Sequence, residues 1–593
     1  MAKNGTLSSI PCDTQLPTLC LNLAPKAQFL MTRTNRQIKV QAPKAGTFQG
    51  YYDQNSFRFL GIRYAQSPVG DLRFREPQAY TPPANATEVQ DATRYGSACI
   101  QLRSNDTTAA QAASFIMNQA SENEDCLFLN VYTPSLRADA STPGLPVMVY
   151  IYGGGFLDNS GSTPLFEPGN VVSRGGVVVV SFNYRLGFLG TFQNKDGGIP
   201  ASEAPGNLAT RDQILALQWV RDNIEAFGGD PNRVTIFGES AGAYSIRALL
   251  TAPSAYSLYK NVIMQSDPLG LPLANATSMG YATNMTMQAL GCSPSDIACA
   301  RNKTVDEISA AQLKTVQGID SPTSPYNWVA KEVFYRPAVD QDLIQGDLSQ
   351  LAASNGPYNT NATIMWGFTH DDAGILIPIY LPLPVPPQSF NASVASLLPG
   401  FPGALFANAS SVYPINTTDA DGVRSMLSDA ATDWYFRCPL FNVTRSLGSR
   451  SRLYSFEFDY GRQVPPVWPV RPSSFCNLPQ RVCHGADIIP SFASANYFLA
   501  YPQTGVNARF ARQIVDRFTT LAKTGTPNPT EDLPGYERLN PDVANVMLDP
   551  YTSSATNTVL FGATAGNVTQ NLVKARCDYI EQNQHYLYEV YRS

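Results

Sequence analysis

Short apolar runs that alternate with helical patterns are the feature of this sequence that most restricts its fold. Leu145–Tyr152 and Gly176–Tyr184 are apolar on both faces, as buried parallel strands are. Apolar residues then follow helical spacing over Asn207–Phe227, and Arg233–Gly238 has a third strand pattern before a helical segment from Ala243. This alternation predicts an α/β fold, with a large and mostly parallel central sheet flanked by helices.

Length and composition narrow the class of protein. The chain has 593 residues, and 44% of them are apolar, which allows a large core and excludes a disordered protein. We expect an irregular arm over residues 1–34 and one α/β domain over residues 35–593, in which the Pro-rich stretch Pro378–Pro387 is a loop. The net charge of −5 excludes a broadly basic surface, so nucleic acid is not an expected partner. No run of about 18 uncharged apolar residues occurs, so no transmembrane helix is expected.

Cysteine content and glycosylation sequons indicate a secreted protein. The ten cysteines form no CxxC or Cys/His metal pattern, so we expect disulfides and no metal site. The N-terminal sequence MAKNGTLSSI lacks the apolar core of a signal peptide, which leaves either a cytosolic protein or a signal that has been removed. We expect the second, and hence an extracellular location. The twelve Asn-X-Ser/Thr sequons, about twice the number that chance would give, are expected glycosylation sites: Asn4, Asn85, Asn105, Asn275, Asn284, Asn302, Asn361, Asn391, Asn408, Asn416, Asn442 and Asn567.

The most specific local motif is a Gly-rich turn between a strand and a helix. Gly238-Glu239-Ser240-Ala241-Gly242 directly follows the strand pattern RVTIF and precedes the helical segment. In this context GxSxG is a nucleophile elbow, typical of the α/β-hydrolase fold, because the turn is so tight that the flanking residues must be small. The motif predicts that the hydroxyl of Ser240 is a nucleophile held above the sheet edge at a helix N-terminus.

A second Gly-rich motif predicts an oxyanion hole. Gly153-Gly154-Gly155-Phe156 follows the first strand pattern, and glycines let backbone N–H groups approach a substrate closely. The tetrahedral intermediate of acyl transfer carries an oxyanion, and each donor placed for it is worth about 10²–10³ in rate. We therefore expect the N–H groups of Gly154, Gly155 and Ala241 to bind that oxyanion.

A serine nucleophile needs a base, and the chain has three histidines: His370, His484 and His585. In α/β-hydrolases the chain order is serine, acid, histidine, which excludes His370. His585 lies in the C-terminal stretch QHYLYEVY, which we expect at the surface. His484, in Cys483-His484-Gly485, is therefore the expected base.

The acid that orients the imidazole is expected in the segment GFTHDDAG. This segment lies between Ser240 and His484, as the chain order requires, and Asp372 is the preferred residue in it. The adjacent Asp371 stays the alternative.

Together these motifs resemble those of the type-B carboxylesterase/lipase family, the cholinesterase-like α/β-hydrolases, and in particular secreted fungal-type carboxylesterases and lipases. The resemblance runs from about Gly46 to about Cys577, and its segments are Phe59–Phe74, Glu124–Tyr132, Tyr152–Phe156, Asn183–Gly190 and Gly206–Ala243. It implies the same nucleophile, base, acid and oxyanion donors. It also implies that Glu239 and Ser266 lie directly behind these groups. Ser266 corresponds to the serine of the family's Gln-Ser-Gly segment, which often supports the acid.

The chain departs from the family pattern at three positions of the expected site. Asp372 stands where glutamate is usual, Asp267 where glycine is usual, and Tyr244 where a small residue is common. The Asp267 departure leaves the supporting role of Ser266 open, and Tyr244 is expected to narrow the pocket.

The same resemblance implies the disulfide pairing. Three pairs, Cys99–Cys126, Cys292–Cys299 and Cys438–Cys577, correspond to the family pattern. The cysteines that remain are then expected to pair as Cys12–Cys20 and Cys476–Cys483. In the cholinesterases that the chain resembles, an aromatic residue in the loop that corresponds to Cys99–Cys126 binds the quaternary ammonium group of the substrate. The Cys99–Cys126 loop contains no Trp, which argues against choline esters as substrates.

We therefore expect a cofactor-free serine carboxylesterase that acts on a small-molecule ester. Three alternatives stay open: an acyltransferase with the same triad, a triglyceride lipase, and a binding protein without activity. Thr107–Ala120 is weakly amphipathic, which fits either a lid at a lipid interface or a helix within a loop. The sequence does not indicate the acyl chain, the alcohol or the oligomeric state.

Overall fold

The computed structural model describes residues 37–53, 56–82, 88–102, 121–137, 141–193, 198–319, 334–390, 405–406, 409–461, 475–495, 504–533, 539–551, 557–562, 567–570 and 573–583. Several expectations lie outside these residues: the N-terminal arm, the Cys12–Cys20 pair, the segment Thr107–Ala120, His585, and the sequons at Asn4, Asn85, Asn105, Asn391 and Asn408.

Fifteen strands occur in the described part of the chain, and thirteen of them form one sheet. The strands are β1 (Gln37–Ala42), β2 (Gly46–Asp53), β3 (Ser56–Arg63), β4 (Gln90–Asp91), β5 (Phe128–Thr133), β6 (Leu145–Ile151), β7 (Val178–Phe182), β8 (Gly229–Glu239), β9 (Asn261–Gln265), β10 (Ala274–Asn275), β11 (Ala338–Val339), β12 (Thr363–Thr369), β13 (Leu453–Phe458), β14 (Asn557–Phe561) and β15 (Asn567–Gln570). The sheet order is β1-β2-β3-β5-β7-β6-β8-β9-β12-β13-β14-β15, β4 pairs with β2, and β10 pairs with β11 separately.

The helices of the described residues follow most of the central strands. They are α1 (Gly169–Gly175), α2 (Gly187–Thr191), α3 (Leu208–Asn223), α4 (Ala241–Leu250), α5 (Ala276–Ala289), α6 (Ile297–Arg301), α7 (Val305–Ile319), α8 (Leu348–Ala353), α9 (Ile377–Tyr380), α10 (Gly422–Thr432), α11 (Cys438–Leu447), α12 (Ile488–Phe492), α13 (Gly505–Thr524), α14 (Pro541–Asn545) and α15 (Lys574–Gln582). A π-helical turn, Asp433–Arg437, joins α10 to α11. No helix in the described ranges is both long enough and apolar enough to span a bilayer.

The centre of the sheet is parallel. Strands β7, β6, β8, β9, β12, β13 and β14 all run in one direction, whereas β5 joins β7 in the antiparallel sense. Every residue of β7, β9, β12 and β13 is buried, as expected for strands that are covered on both faces. The predicted α/β-hydrolase architecture is confirmed.

Element boundaries differ from the sequence prediction where turn geometry intervenes. The strand expected over Gly176–Tyr184 begins at Val178, because Gly176 ends α1 with a left-handed φ of 61°. The helix expected over Asn207–Phe227 is α-helical only to Asn223 and then continues as a 3₁₀ turn.

The Pro-rich stretch expected as a loop begins inside a helix. Pro378 occupies the first turn of α9, where the missing N–H of proline leaves no helical hydrogen bond unmade. The expectation of a loop over Pro378–Pro387 is therefore corrected at its N-terminal end.

The elbow glycines allow β6 and β8 to lie side by side. A Cβ atom on Gly242 would lie 2.0 Å from the carbonyl oxygen of Ile151, and one on Gly238 would lie 2.7 Å from the same atom. Because both neighbours are backbone atoms of a central strand, neither can move aside without disturbing the sheet.

We expect Gly242→Ala to destabilise the protein by about 1–3 kcal/mol, since the methyl group would force the elbow away from β6. Urea unfolding of the purified protein would measure this. The matched control is Gly505→Ala, at the exposed first residue of α13, where a Cβ meets nothing within 4 Å. Equal unfolding midpoints for the two variants would contradict the prediction.

Candidate active site

The loops that leave the carboxyl ends of the parallel strands carry the expected site residues. Gly153–Gly155 follow β6, Ser240 follows β8, and Asp371-Asp372 follow β12. Parallel strands bring these ends to one edge of the sheet. His484 follows β13 along the chain and reaches the same edge.

Ser240 has the backbone conformation of a nucleophile elbow. Its φ of 57° and ψ of −124° lie in a region that non-glycine residues rarely adopt. Its N–H donates to the carbonyl of Gln265 at 2.9 Å, which fixes the turn on the neighbouring strand β9. Ser240 is half-buried, whereas the residues from Val234 to Glu239 and from Ala241 to Leu250 are all buried. The turn therefore exposes the serine alone.

The glycine loop lies directly against Ser240. A Cβ atom on Gly153 would lie 2.9 Å from the Cβ of Ser240, so this contact requires glycine. Gly154 and Gly155 have φ values of 112° and 61°. Within the described part of the chain, the N–H groups of Gly154, Gly155 and Ala241 donate to no protein acceptor. All three donors are thus available for a ligand oxygen.

His484 and Asp372 form a direct contact. His484 Nδ1 lies 2.5 Å from Asp372 Oδ1, and both side chains are buried. The other oxygen of Asp372 accepts the N–H of Thr369 at 2.9 Å, which fixes the carboxylate. The ring of Phe436, on the π-helical turn, lies 5.8 Å from the imidazole between centroids.

Two further carboxyl groups lie near the same imidazole. Glu239 Oε1 is 3.3 Å from His484 Nε2, the ring nitrogen opposite the one that contacts Asp372. Asp487, three residues after His484, accepts a hydrogen bond of 2.5 Å from Gln265 Nε2. Nothing in the sequence singled out Asp487, because its role depends on a contact with a distant strand.

Burial and neighbouring charge together raise the pKa values of all three groups. Burial raises the pKa of Glu239 and of Asp487 above the usual range of carboxyl groups. For His484, burial lowers the pKa, but the negative charges of Glu239 and Asp372 outweigh it, so that the net pKa is raised. The imidazole therefore holds a proton more strongly than an exposed histidine.

The two adjacent aspartates have different partners. Asp372 contacts the imidazole, whereas Asp371 Oδ1 accepts from Arg481 Nη1 at 2.8 Å. His370 has a different partner, since its Nδ1 lies 2.8 Å from Glu457 Oε1. The geometry thus favours Asp372 over its neighbour as the acid.

Two of the three residues at which the chain departs from the family pattern, Asp267 and Tyr244, lie in a separate buried cluster around Arg247. Asp267 Oδ2 lies 3.3 Å from Arg247 Nε, and the Arg247 guanidinium lies 4.1 Å from the ring centroid of Tyr244. Tyr244 donates to the carbonyl of Pro272 at 2.6 Å. The hydroxyl of Ser266, which the resemblance implied to support the acid, is buried and makes no hydrogen bond among the described residues.

Comparison with known proteins agrees with this geometry. The model of the carboxylesterase family matches residues 36–580. The chain belongs to the carboxylesterase family. It is 31% identical over 500 residues to the cholinesterase of Mus musculus, covering 80% of this chain and 76% of that protein. It is 29% identical over 508 residues to a pyrethroid hydrolase of Mus musculus, covering 83% of each.

A solved structure extends the likeness to three dimensions. A thermophilic PNB esterase superposes with a TM-score of 0.70 and 25% identity, over 91% of this chain and 99% of that chain. The protein is accordingly an ester-hydrolysing enzyme with the α/β-hydrolase fold, and its substrates are small-molecule esters.

Four disulfides occur among the described residues of the esterase. They join Cys99 to Cys126, Cys292 to Cys299, Cys438 to Cys577, and Cys476 to Cys483. The first three are the pairs that correspond to the family pattern, and the fourth is one of the two pairs expected from the remaining cysteines. The last pair ends one residue before His484 and is buried at both cysteines.

A group of potential metal ligands in the esterase is engaged by the protein itself. His370, Asp371 and Asp429 offer ligand atoms within 4.8 Å of one another. Asp371 is bound by Arg481, and Asp429 Oδ2 lies 3.3 Å from Arg576 Nη1. A metal ion would have to compete with two guanidinium groups, so we assign no metal to this cluster.

Non-reducing peptide mapping should recover the Cys476–Cys483 peptide from protein that is alkylated before digestion. We expect neither cysteine to be alkylated, because the two sulfur atoms are joined in a disulfide. The Cys292–Cys299 pair closes a loop of the same sequence separation and serves as the matched control. Alkylation at Cys483 in active enzyme would contradict the pairing.

Proposed function

We propose that the esterase cleaves carboxylic esters through an acyl-enzyme on Ser240, with His484 as general base and Asp372 as the acid that orients it. The observation that carries the proposal is the 2.5 Å contact of His484 Nδ1 with Asp372 at the sheet edge that presents Ser240. It is supported by family membership and by the elbow conformation of the serine.

The Asp372 carboxylate selects the tautomer of the imidazole. A proton on Nδ1 is held by the carboxylate, so the lone pair of Nε2 is left to accept the proton of the serine hydroxyl. Nε2 is directed towards the nucleophile elbow, since it lies 3.3 Å from the side chain of Glu239, the residue before Ser240. In this proposal the imidazole joins the acid on one side to the nucleophile on the other.

The reaction proceeds in two acyl-transfer steps. Ser240 Oγ attacks the ester carbonyl carbon while His484 takes the hydroxyl proton, and the N–H groups of Gly154, Gly155 and Ala241 stabilise the oxyanion. Collapse of the intermediate breaks the bond to the alkoxy oxygen, which receives the proton from His484. Water then attacks the acyl-enzyme by the same route and releases the acid. No cofactor takes part in this scheme.

An extracellular location is part of this proposal. Four disulfides are typical of proteins that fold in an oxidising compartment. The sequon residues Asn275, Asn302, Asn361 and Asn416 are exposed, so a glycan could be attached without unfolding.

Ser240→Ala should lower kcat/KM for a 4-nitrophenyl ester about 10⁴- to 10⁶-fold, because no other group would form the acyl-enzyme. A fluorophosphonate probe should label the wild-type protein at Ser240 and leave the variant unlabelled. The control is Ser455→Ala, a buried serine within β13 that is hydrogen-bonded to Asn557. Retained turnover by folded Ser240→Ala would refute the assignment.

Glu239→Gln should shift the acid limb of the pH profile of kcat/KM to lower pH, by about one unit. The unprotonated imidazole is the active base, and loss of the Glu239 charge lowers the raised pKa of His484, so activity persists further into the acid range. Glu167→Gln is the control, since Glu167 is equally buried but pairs with Arg58. An unshifted limb would show that Glu239 is already uncharged in the free enzyme.

A further inference from the structure

The loops that present Asp372 and His484 are joined one residue before each of these side chains. The N–H of Asp371 donates to the carbonyl of Val482 at 2.9 Å, and Asp371 pairs with Cys483 as an isolated parallel bridge. Asp371 directly precedes Asp372, and Cys483 directly precedes His484. The backbone spacing of the two loops is therefore set immediately beside the contact between acid and base.

The side chain of Asp371 completes this junction. Its Oδ1 accepts from Arg481 Nη1 at 2.8 Å, and its Oδ2 accepts from the N–H of Val482 at 3.0 Å. The carboxylate is fully buried, and its contacts with the other loop come from both the main chain and a guanidinium group. Such charge-assisted hydrogen bonds are about twice as strong as neutral ones.

Arg481 is itself held in place. Its guanidinium lies 4.5 Å from the ring centroid of Phe475, and its Nη2 donates to the hydroxyl of Ser425 on α10. Arg481 also lies within the loop that the Cys476–Cys483 disulfide closes. The disulfide packs on the acid loop, since a Cβ on Gly374 would lie 2.8 Å from Cys483 Sγ.

We propose that Asp371 and Arg481 are positioning residues that fix His484 against Asp372. This inference rests on the proposed function of the site. The pair holds the two loops at the spacing that the imidazole–carboxylate contact needs. Arg481 also neutralises Asp371 and turns its carboxylate away from the imidazole, so that only one of two adjacent aspartates is presented to Nδ1.

The test compares Asp371→Asn with a matched control elsewhere in the protein. Asp516 is buried, pairs with Arg174 at 2.6 Å and accepts the N–H of Asn540 at 2.7 Å, so that, like Asp371, it binds one guanidinium group and one backbone N–H. For each variant, kcat, KM and the pH profile with a 4-nitrophenyl ester are measured beside the thermal midpoint. Arg481→Lys and Arg481→Met form a second series that does not alter the acid loop.

We expect both aspartate variants to lose thermal stability, but only Asp371→Asn to lower kcat, by about 10- to 100-fold with KM little changed. Its acid limb should move to lower pH, because a loosened contact with Asp372 no longer raises the pKa of His484. The low-field proton resonance of the Asp372–His484 hydrogen bond should weaken in the same variant. Arg481→Met should repeat these effects, and Arg481→Lys should restore part of kcat by keeping the positive charge.

Wild-type kcat and an unshifted acid limb in folded Asp371→Asn would overturn the inference, as would equal losses of kcat in Asp371→Asn and Asp516→Asn. If Asp371→Asn does not fold, the difference between Arg481→Lys and Arg481→Met decides: equal kcat and equal acid limbs refute the positioning role. Failure of the proposed function would look different. In that case the wild-type enzyme would not be labelled at Ser240 by the fluorophosphonate, whatever the Asp371 series shows.

Discussion

The contact between His484 Nδ1 and Asp372 Oδ1 joins two loops at the carboxyl edge of the sheet, and the arrangement of the site depends on it. One loop leaves β12, and the other follows β13, the strand beside it. Because β8 and β9 lie next in the same parallel block, the elbow that carries Ser240 opens at the same edge. The order of the strands therefore brings to one edge of the sheet three loops that are far apart in the sequence.

Electrostatics distinguish this edge from the rest of the core. One imidazole is surrounded by the carboxyl groups of Asp372, Glu239 and Asp487, all buried. Removing three carboxylate charges from water together is unfavourable. Burial accordingly raises the pKa values of Glu239 and Asp487, and Gln265 donates a hydrogen bond to Asp487. The same carboxyl groups favour the protonated imidazole that forms when the serine is deprotonated.

The sequence predicted the sheet, the elbow and the glycine loop because each depends on local spacing. Ser240 and Gly153–Gly155 follow strand patterns that can be recognised from a few residues. His484 and Asp372 required the additional constraint of chain order, since a histidine or an aspartate alone carries no local pattern. The roles of all of these residues in the reaction stay predictions.

Other features could not be predicted because they arise from contacts between distant segments. The choice between Asp371 and Asp372 depends on which way each side chain leaves its turn, and Arg481, 110 positions further on, binds the first of them. Asp487 depends in the same way on Gln265. The hydroxyl of Ser266 makes no hydrogen bond to the acid among the described residues, and the carboxylate of Asp267, at the next position, pairs with Arg247.

The disulfide that ends beside His484 has a consequence for how the enzyme is produced. Cys476 and Cys483 are both buried, so their bond must form while the chain is still folding and a reductant reaches it poorly afterwards. A host cytosol rich in glutathione would instead deliver chains in which the segment before the imidazole is tethered by hydrogen bonds alone. The redox state of the expression compartment would then decide the active fraction of a preparation, even where the yield of folded protein is unchanged.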